Sequence, residues 1–246
     1  MDEQAMEKHV YFTYISLRYG VAAIGALLPV GVYLLGKLKG VGLQDSISAY
    51  YWAAPTDGAA PSRDFFVGSL FAVAALLYLY KGFSKAENYL LNAAGVLLVG
   101  VALFPMEQSG ASGGKFSIHG FCAVSAFAGL AFVVWFLAQK TLPLLPPEAK
   151  PERRWFRMAY IVVGFFMLAS PVTAFVLISV LRTDTAFIFF VEAAGIWAFA
   201  AYWLIKSFEL GKSAATKLAL EGKVTTTATK ELKPLASAAA SRLQPQ

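Results

Sequence analysis

Glu192 is the residue in this sequence whose placement points most directly to chemistry. It falls a few residues into the apolar run Phe187–Ile205. On insertion scales an acidic side chain at mid-helix in a membrane costs about 2.5–3.5 kcal/mol, so it should face the protein and hold a partner or a proton. Gly195, Ile196 and Phe199 share its helical face, and the glycine leaves room for another backbone. Two chemistries are open to it: a proton site, or an ion pair with Arg63 or Arg182. His119 opens a different apolar run, where its imidazole could serve as base, ligand or donor, or bond locally at a helix start. The second histidine, His9, lies at the opposite side of the predicted bundle. A bis-His haem or multi-His zinc site therefore cannot be assembled.

The remaining polar candidates come from Asp45–Gly68, a long polar interruption between two apolar runs. It holds Ser46, Ser48, Tyr50, Tyr51, Trp52, Arg63 and Asp64. Asp64 precedes an apolar run and fits a first-turn carboxylate that complements the helix dipole. Arg63 could pair with Glu192 or take a phosphate. Ser46 or Ser48 with Asp64 and His119 has the composition of a Ser–His–Asp set, without a nucleophile-elbow pattern. Asp64, Glu107, His119 and Glu192 are metal-ligand types without a metal-binding spacing, so no metal and no cofactor are expected. Tyr50, Tyr51 and Trp52 read either as an interfacial aromatic belt or as the wall of a headgroup pocket, and Trp135, Trp155, Trp197 and Trp203 share that ambiguity.

These residues need elements to position them. The chain has 246 residues, 58% hydrophobic and 15% charged, against about 25% charged in a soluble domain. That deficit and the long apolar runs predict an all-α integral membrane protein, a six-transmembrane-helix bundle. The spans are Ile15–Leu35, Phe65–Tyr80, Tyr89–Phe104, Ile118–Ala138, Met158–Leu181 and Phe187–Ile205. The first reads as a retained helix and not a cleaved signal. Of the 21 Lys and Arg, Lys37, Lys39, Arg63, Lys115 and Arg182 fall on one side of these spans and all others on the second. The basic side should be cytoplasmic and carry both termini. Asp45, Ser46, Ser48, Tyr50, Tyr51, Arg63, Asp64, Glu107, His119, Asp184 and Glu192 then gather at the outward ends. Residues 1–208 form the transmembrane domain, and 209–246 a cytoplasmic Ala/Thr/Lys-rich tail, partly helical or disordered. The single cysteine, Cys122, excludes an internal disulfide. The proline-rich stretch after span four reads as an extended linker. Pro171 predicts a kink whose freed carbonyl Ser170 or Thr173 could satisfy. Ser125-x-x-x-Gly129, Gly95 and Gly100 mark close helix contacts. Asn92-Ala93-Ala94-Gly95 and Glu192-Ala193-Ala194-Gly195 echo one another, as an inverted repeat would, although Ala-rich helices produce such matches by chance.

At ISAYYW, RDFFVGSLFAV, NAAGVLLVGVALFP, IHG and EAAGIWAF the chain resembles bacterial multi-span proteins of the DUF998 type, and more loosely Frag1/DRAM-like proteins. The likeness covers about Tyr14–Ile205. It also resembles, more faintly, transmembrane hydrolases with a Ser, an Asp and several His, but it lacks their His pair. The expectation is a multi-pass protein of the bacterial inner membrane that binds a lipid or small hydrophobic ligand in an outward-facing polar pocket. Ser46, Ser48, Tyr50, Tyr51, Arg63, Asp64, His119 and Glu192 would line that pocket. Its partners would be membrane lipids, with a membrane-protein partner or a second copy of the chain, and no nucleic acid. The alternatives are a membrane-embedded hydrolase or transferase using Asp64, His119 and Glu192, and a proton-coupled transporter with Glu192 as the proton site.

Overall fold

The computed structural model describes residues 3–53, 58–106, 117–181, 186–213 and 215. Glu107, Lys115, Arg182, Asp184 and most of the 209–246 tail lie outside them. Six helices are long and apolar enough to cross a membrane, and no strand occurs among the described residues. They are α1 Glu3–Leu38, α2 Pro61–Leu79, α3 Lys85–Leu103, α4 Ile118–Phe132, α5 Lys150–Phe175 and α6 Phe187–Lys212. They pack as a ring in chain order, each against its sequence neighbours, with α6 closing onto α1. Large apolar side chains face outward around it, among them Leu27, Phe71, Val96, Phe132, Phe165 and Trp197.

Local sequence explains where the helices begin and end. Pro61 takes the first position of α2, where its missing N–H costs nothing. Ser84 caps α3 by accepting from Glu87 N at 3.2 Å, and Ser117 caps α4 by accepting from Gly120 N at 3.4 Å. Two glycines with the same sequence surroundings admit the preceding helix. A Cβ at Gly95 would stand 2.9 Å from Ala74 O on α2, and one at Gly195 would meet Ser170 of α5. At the α3–α4 seam the close approach is between Gly100 and Cys122. Gly129 has open space at its Cβ position and is not a point of close approach.

Two expectations are corrected. The stretch after span four is not an extended linker: α4 runs on through a π turn, Val133–Leu137, and a 3-10 segment, Ala138–Leu144. Leu142, Leu144 and Leu145 there are buried, and that burial holds a proline-containing segment in helical form. Ser170 does not repair the carbonyl freed by Pro171; its hydroxyl donates across the seam to Val191 O on α6. At its far end α6 runs on to Lys212, with Glu209 buried in the bundle.

The C-terminal ends of α1, α3 and α5 and the N-terminal ends of α2, α4 and α6 lie at one end of the ring, hereafter the Glu192 end. The connections α2–α3 and α4–α5 and the outer ends of α1 and α6 form the Glu209 end.

Candidate functional site

At the Glu192 end the first long connection folds down onto the bundle through a 3-10 turn, Ser48–Tyr51. Ser46 Oγ starts the turn by accepting from Ala49 N at 3.0 Å, and it donates to Met106 Sδ at 3.4 Å. The next two amides are taken by a side chain distant in sequence: Ile47 N and Ser48 N donate to Glu192 Oε2 at 2.7 and 3.4 Å. The Ser48 hydroxyl stands 3.0 Å from His119 Nε2. His119 Nδ1 lies 3.1 Å from Val101 O and 3.0 Å from Phe104 O. Two carbonyls can only accept, so Nδ1 carries the proton and Nε2 accepts from Ser48. Ser46 and His119 are buried. Tyr50 is fully buried beneath the turn, edge-on to Phe189, and burial raises its phenol above the ordinary range. Trp52 stays exposed and donates from Nε1 to Met106 O at 2.7 Å.

The expected site residues therefore divide into two groups. Ser46, Ser48, Tyr50, His119 and Glu192 gather at the turn: Glu192 and His119 hold it, Ser46 starts it, and the Tyr50 hydroxyl donates to Gly42 O at 3.3 Å. Arg63 and Asp64 lie outside this group, pairing with each other at 3.3 Å with their side chains 44% and 69% exposed. Asp64 sits in the first turn of α2 and shares no hydrogen bond with His119 or Glu192. The trio Asp64, His119 and Glu192 is thus not assembled. Arg63 does not pair with Glu192, and the Ser–His–Asp set reduces to Ser48 and His119. The backbone amides beside Ser48 are already held by a carboxylate, so no oxyanion hole is open there. Among the described residues no group of three or more His, Cys, Asp and Glu could hold a metal ion. Tyr51, Arg63 and Asp64 instead edge an open depression of about 480 Å³ between α2 and α3, floored by Val67, Gly68, Ala102 and Leu103.

The Glu209 end holds residues that reading the sequence passes over. Lys206, Glu209, Arg18 and Glu87 are each at most 1% exposed. Lys206 Nζ donates to Ala138 O, Thr141 Oγ1 and Glu209 Oε2 at 2.9, 2.6 and 2.8 Å, which uses all three ammonium protons. The Thr141 hydroxyl, accepting from Lys206, gives its proton to Glu209 Oε1, and Tyr160 donates to Glu209 Oε2. The pair is saturated and charge-balanced, the condition under which a buried ion pair holds. The π turn and the 3-10 segment after α4 supply Ala138 O and Thr141 at the right height on α6. Arg18 Nε donates to Ser207 Oγ at 3.2 Å and lies beside Tyr80. Glu87 Oε2 accepts from Phe83 N at 2.9 Å, whereas its Oε1 has no partner.

Charge counting hides this cluster. Arg18 and Lys206 each fall at the margin of an apolar span and read as flanking charges of the cytoplasmic side. Glu209 reads as the first residue of the tail. A signal for Glu87 does exist: Ser84-x-x-Glu87 before an apolar run has the form of a capping box. Of the ambiguous tryptophans, Trp155 and Trp197 are exposed, Trp135 donates to Ile161 O, and Trp203 is core, edge-on to Tyr80. No family model, no curated protein and no solved structure matches the chain.

Proposed function

We propose that this chain is a multi-pass membrane protein that holds a lipid, its headgroup at Tyr51, Arg63 and Asp64 and an acyl chain against Val67, Gly68 and Leu103. The observation that carries this reading is the depression of about 480 Å³ between α2 and α3, polar at its edge and apolar along its floor. Arg63 and Asp64 present opposite charges side by side at the start of a spanning helix. A guanidinium matches a phosphate and a carboxylate matches an ammonium, so a zwitterionic headgroup of the phosphoethanolamine class fits both. The contacts at the turn serve this site indirectly: Glu192 and His119 hold the turn Ser48–Tyr51, and Tyr51 at its end belongs to the wall. The Lys/Arg asymmetry supports an orientation with both termini cytoplasmic and the depression facing outward, in a bacterial inner membrane.

The test is native mass spectrometry of the full chain, comparing nanodiscs of phosphatidylethanolamine and phosphatidylglycerol. The wild type should retain the zwitterionic lipid preferentially. Arg63→Ala should lose both lipids, and Asp64→Asn should lose the preference alone. Equal retention by all three proteins would overturn the reading.

Glu192 as a proton site is a second reading with one observation behind it. Its carboxylate makes no ion pair among the described residues and is held by two neutral amides. Protonation would weaken both bonds and loosen the turn. If uptake of a solute is driven by a pH gradient, Glu192→Gln should abolish that dependence.

A further inference from the structure

The buried cluster at the Glu209 end is independent of the lipid site and is not explained by it. Its two carboxylates differ. Glu209 has three donors over its two oxygens and a cation at 2.8 Å. Glu87 has one backbone donor, an unpartnered Oε1 and no ion pair among the described residues. A buried charge of this kind is held only by what surrounds it.

The surroundings of Glu87 can be named element by element. α1 brings Arg18 and Tyr14; Tyr14 is edge-on to Tyr80. The end of α2 brings the Tyr80 hydroxyl, which lies close to both Arg18 and Glu87. The segment after α4 brings Lys140 and Thr141, and α5 brings Tyr160. α6 brings Tyr202, Lys206 and Glu209. On its own side, the Gly82–Phe83 turn is pressed against Glu87: a Cβ at Gly82 would stand 2.7 Å from Glu87 Cγ. Gly82 and Phe83 are themselves half-buried, and Lys81 and Lys85 on either side of the turn are exposed.

With Glu87 ionised, the four buried charges balance, two positive and two negative. Lys206 and Glu209 saturate each other. Arg18 is left with the neutral Ser207 and Tyr80, and Glu87 with the Phe83 amide. A proton added to the cluster therefore has one carboxylate oxygen open to it, Glu87 Oε1. We propose that Glu87 is a proton-exchange site, loaded from the Gly82–Phe83 turn, that switches the core between a balanced and a net-positive state. In the loaded state Arg18 has no counter-charge, so the contacts among α1, Tyr80 and α3 loosen while the Lys206–Glu209 pair stays shut. The site gives the chain a proton-linked activity separate from anything at the Glu192 end.

Infrared difference titration of the full chain in nanodiscs tests it. The wild type should show a protonated-carboxyl band that appears as the pH falls. The band should persist in Glu192→Gln and Asp64→Asn, vanish in Glu87→Gln and shift in Glu87→Asp. A band that survives Glu87→Gln or is unmoved in Glu87→Asp, or no titrating band remaining in Glu192→Gln, would overturn the proposal. Hydrogen exchange of the unmodified wild type reads the site without substitution. The Phe83 amide should lose protection as the pH falls, against the slowing intrinsic rate, and constant protection overturns the proposal equally.

Discussion

α6 carries an inward-facing carboxylate near each end, the half-buried Glu192 and the fully buried Glu209, about 25 Å apart at 1.5 Å per residue. Each fastens a neighbouring element, by different means. Glu192 uses backbone amides: it closes on Ile47 N and Ser48 N and holds a surface turn. Glu209 uses side chains: Lys206, Thr141 and Tyr160 tie α6 to α5 and to the segment after α4. The first contact can open by moving one connection, with no helix displaced. Opening the second exposes an ammonium and a carboxylate from a core where each costs several kcal/mol to bury alone. The Glu192 contact can therefore be released without moving a helix, whereas the Lys206–Glu209 pair ties α6 to its neighbours.

The largest expected effect tests that contrast. Lys206→Met leaves Glu209 buried without a cation and should cost about 3–5 kcal/mol, lowering the thermal midpoint in detergent more than any other change discussed here. Replacing Lys206 and Glu209 together by Met and Leu should recover much of the loss, because an apolar pair of similar volume carries no desolvation penalty. If the single and double variants are equally destabilised, the pair is not what locks this end.

Next comes Glu192→Ala, which leaves two turn amides without their acceptor. We expect about 1–3 kcal/mol, felt locally. Hydrogen exchange should speed up at residues 46–52, while α5 and α6 near Glu209 keep their protection. Global unfolding of the same size as in Lys206→Met would erase the distinction between a hinged end and a locked one.

The contrast also explains what could be read beforehand. Six apolar spans and Glu192 as an inward-facing carboxylate follow from local rules of burial, while α2 and α3 begin at Pro61 and Lys85, four residues ahead of the expected span starts Phe65 and Tyr89. The convergence of Ser48, His119 and Glu192 on one turn was within reach because His119 and Glu192 sit near predicted helix ends on the same predicted side as the connection holding Ser48. Asp64 misled because a first-turn carboxylate and a catalytic one look alike until a partner is seen. The Glu209 end was illegible for a different reason. A Lys or Arg at the margin of a span reads the same whether it reaches out to the headgroups or folds inward. What decides for Arg18 and Lys206 is tertiary: Ser207, Ala138 O and Thr141 stand where the charges can be satisfied. Thr141 arrives there through a π turn and a proline-containing 3-10 segment, which helical periodicity does not anticipate.

The smallest effect on stability is expected at Arg63, which belongs to neither fastened network. Its guanidinium is part-exposed and its partner is the adjacent Asp64, so Arg63→Ala should stay within about 0.5 kcal/mol of the wild type. Exchange at residues 46–52 should also be unchanged, because no bond from Arg63 reaches the Glu192 turn. Lipid retention should nevertheless fall, which separates binding at the depression from stability of either end. A fall in lipid retention accompanied by faster exchange of the turn would show that Arg63 acts through the Glu192 network, and the depression and the turn would then have to be treated as one unit.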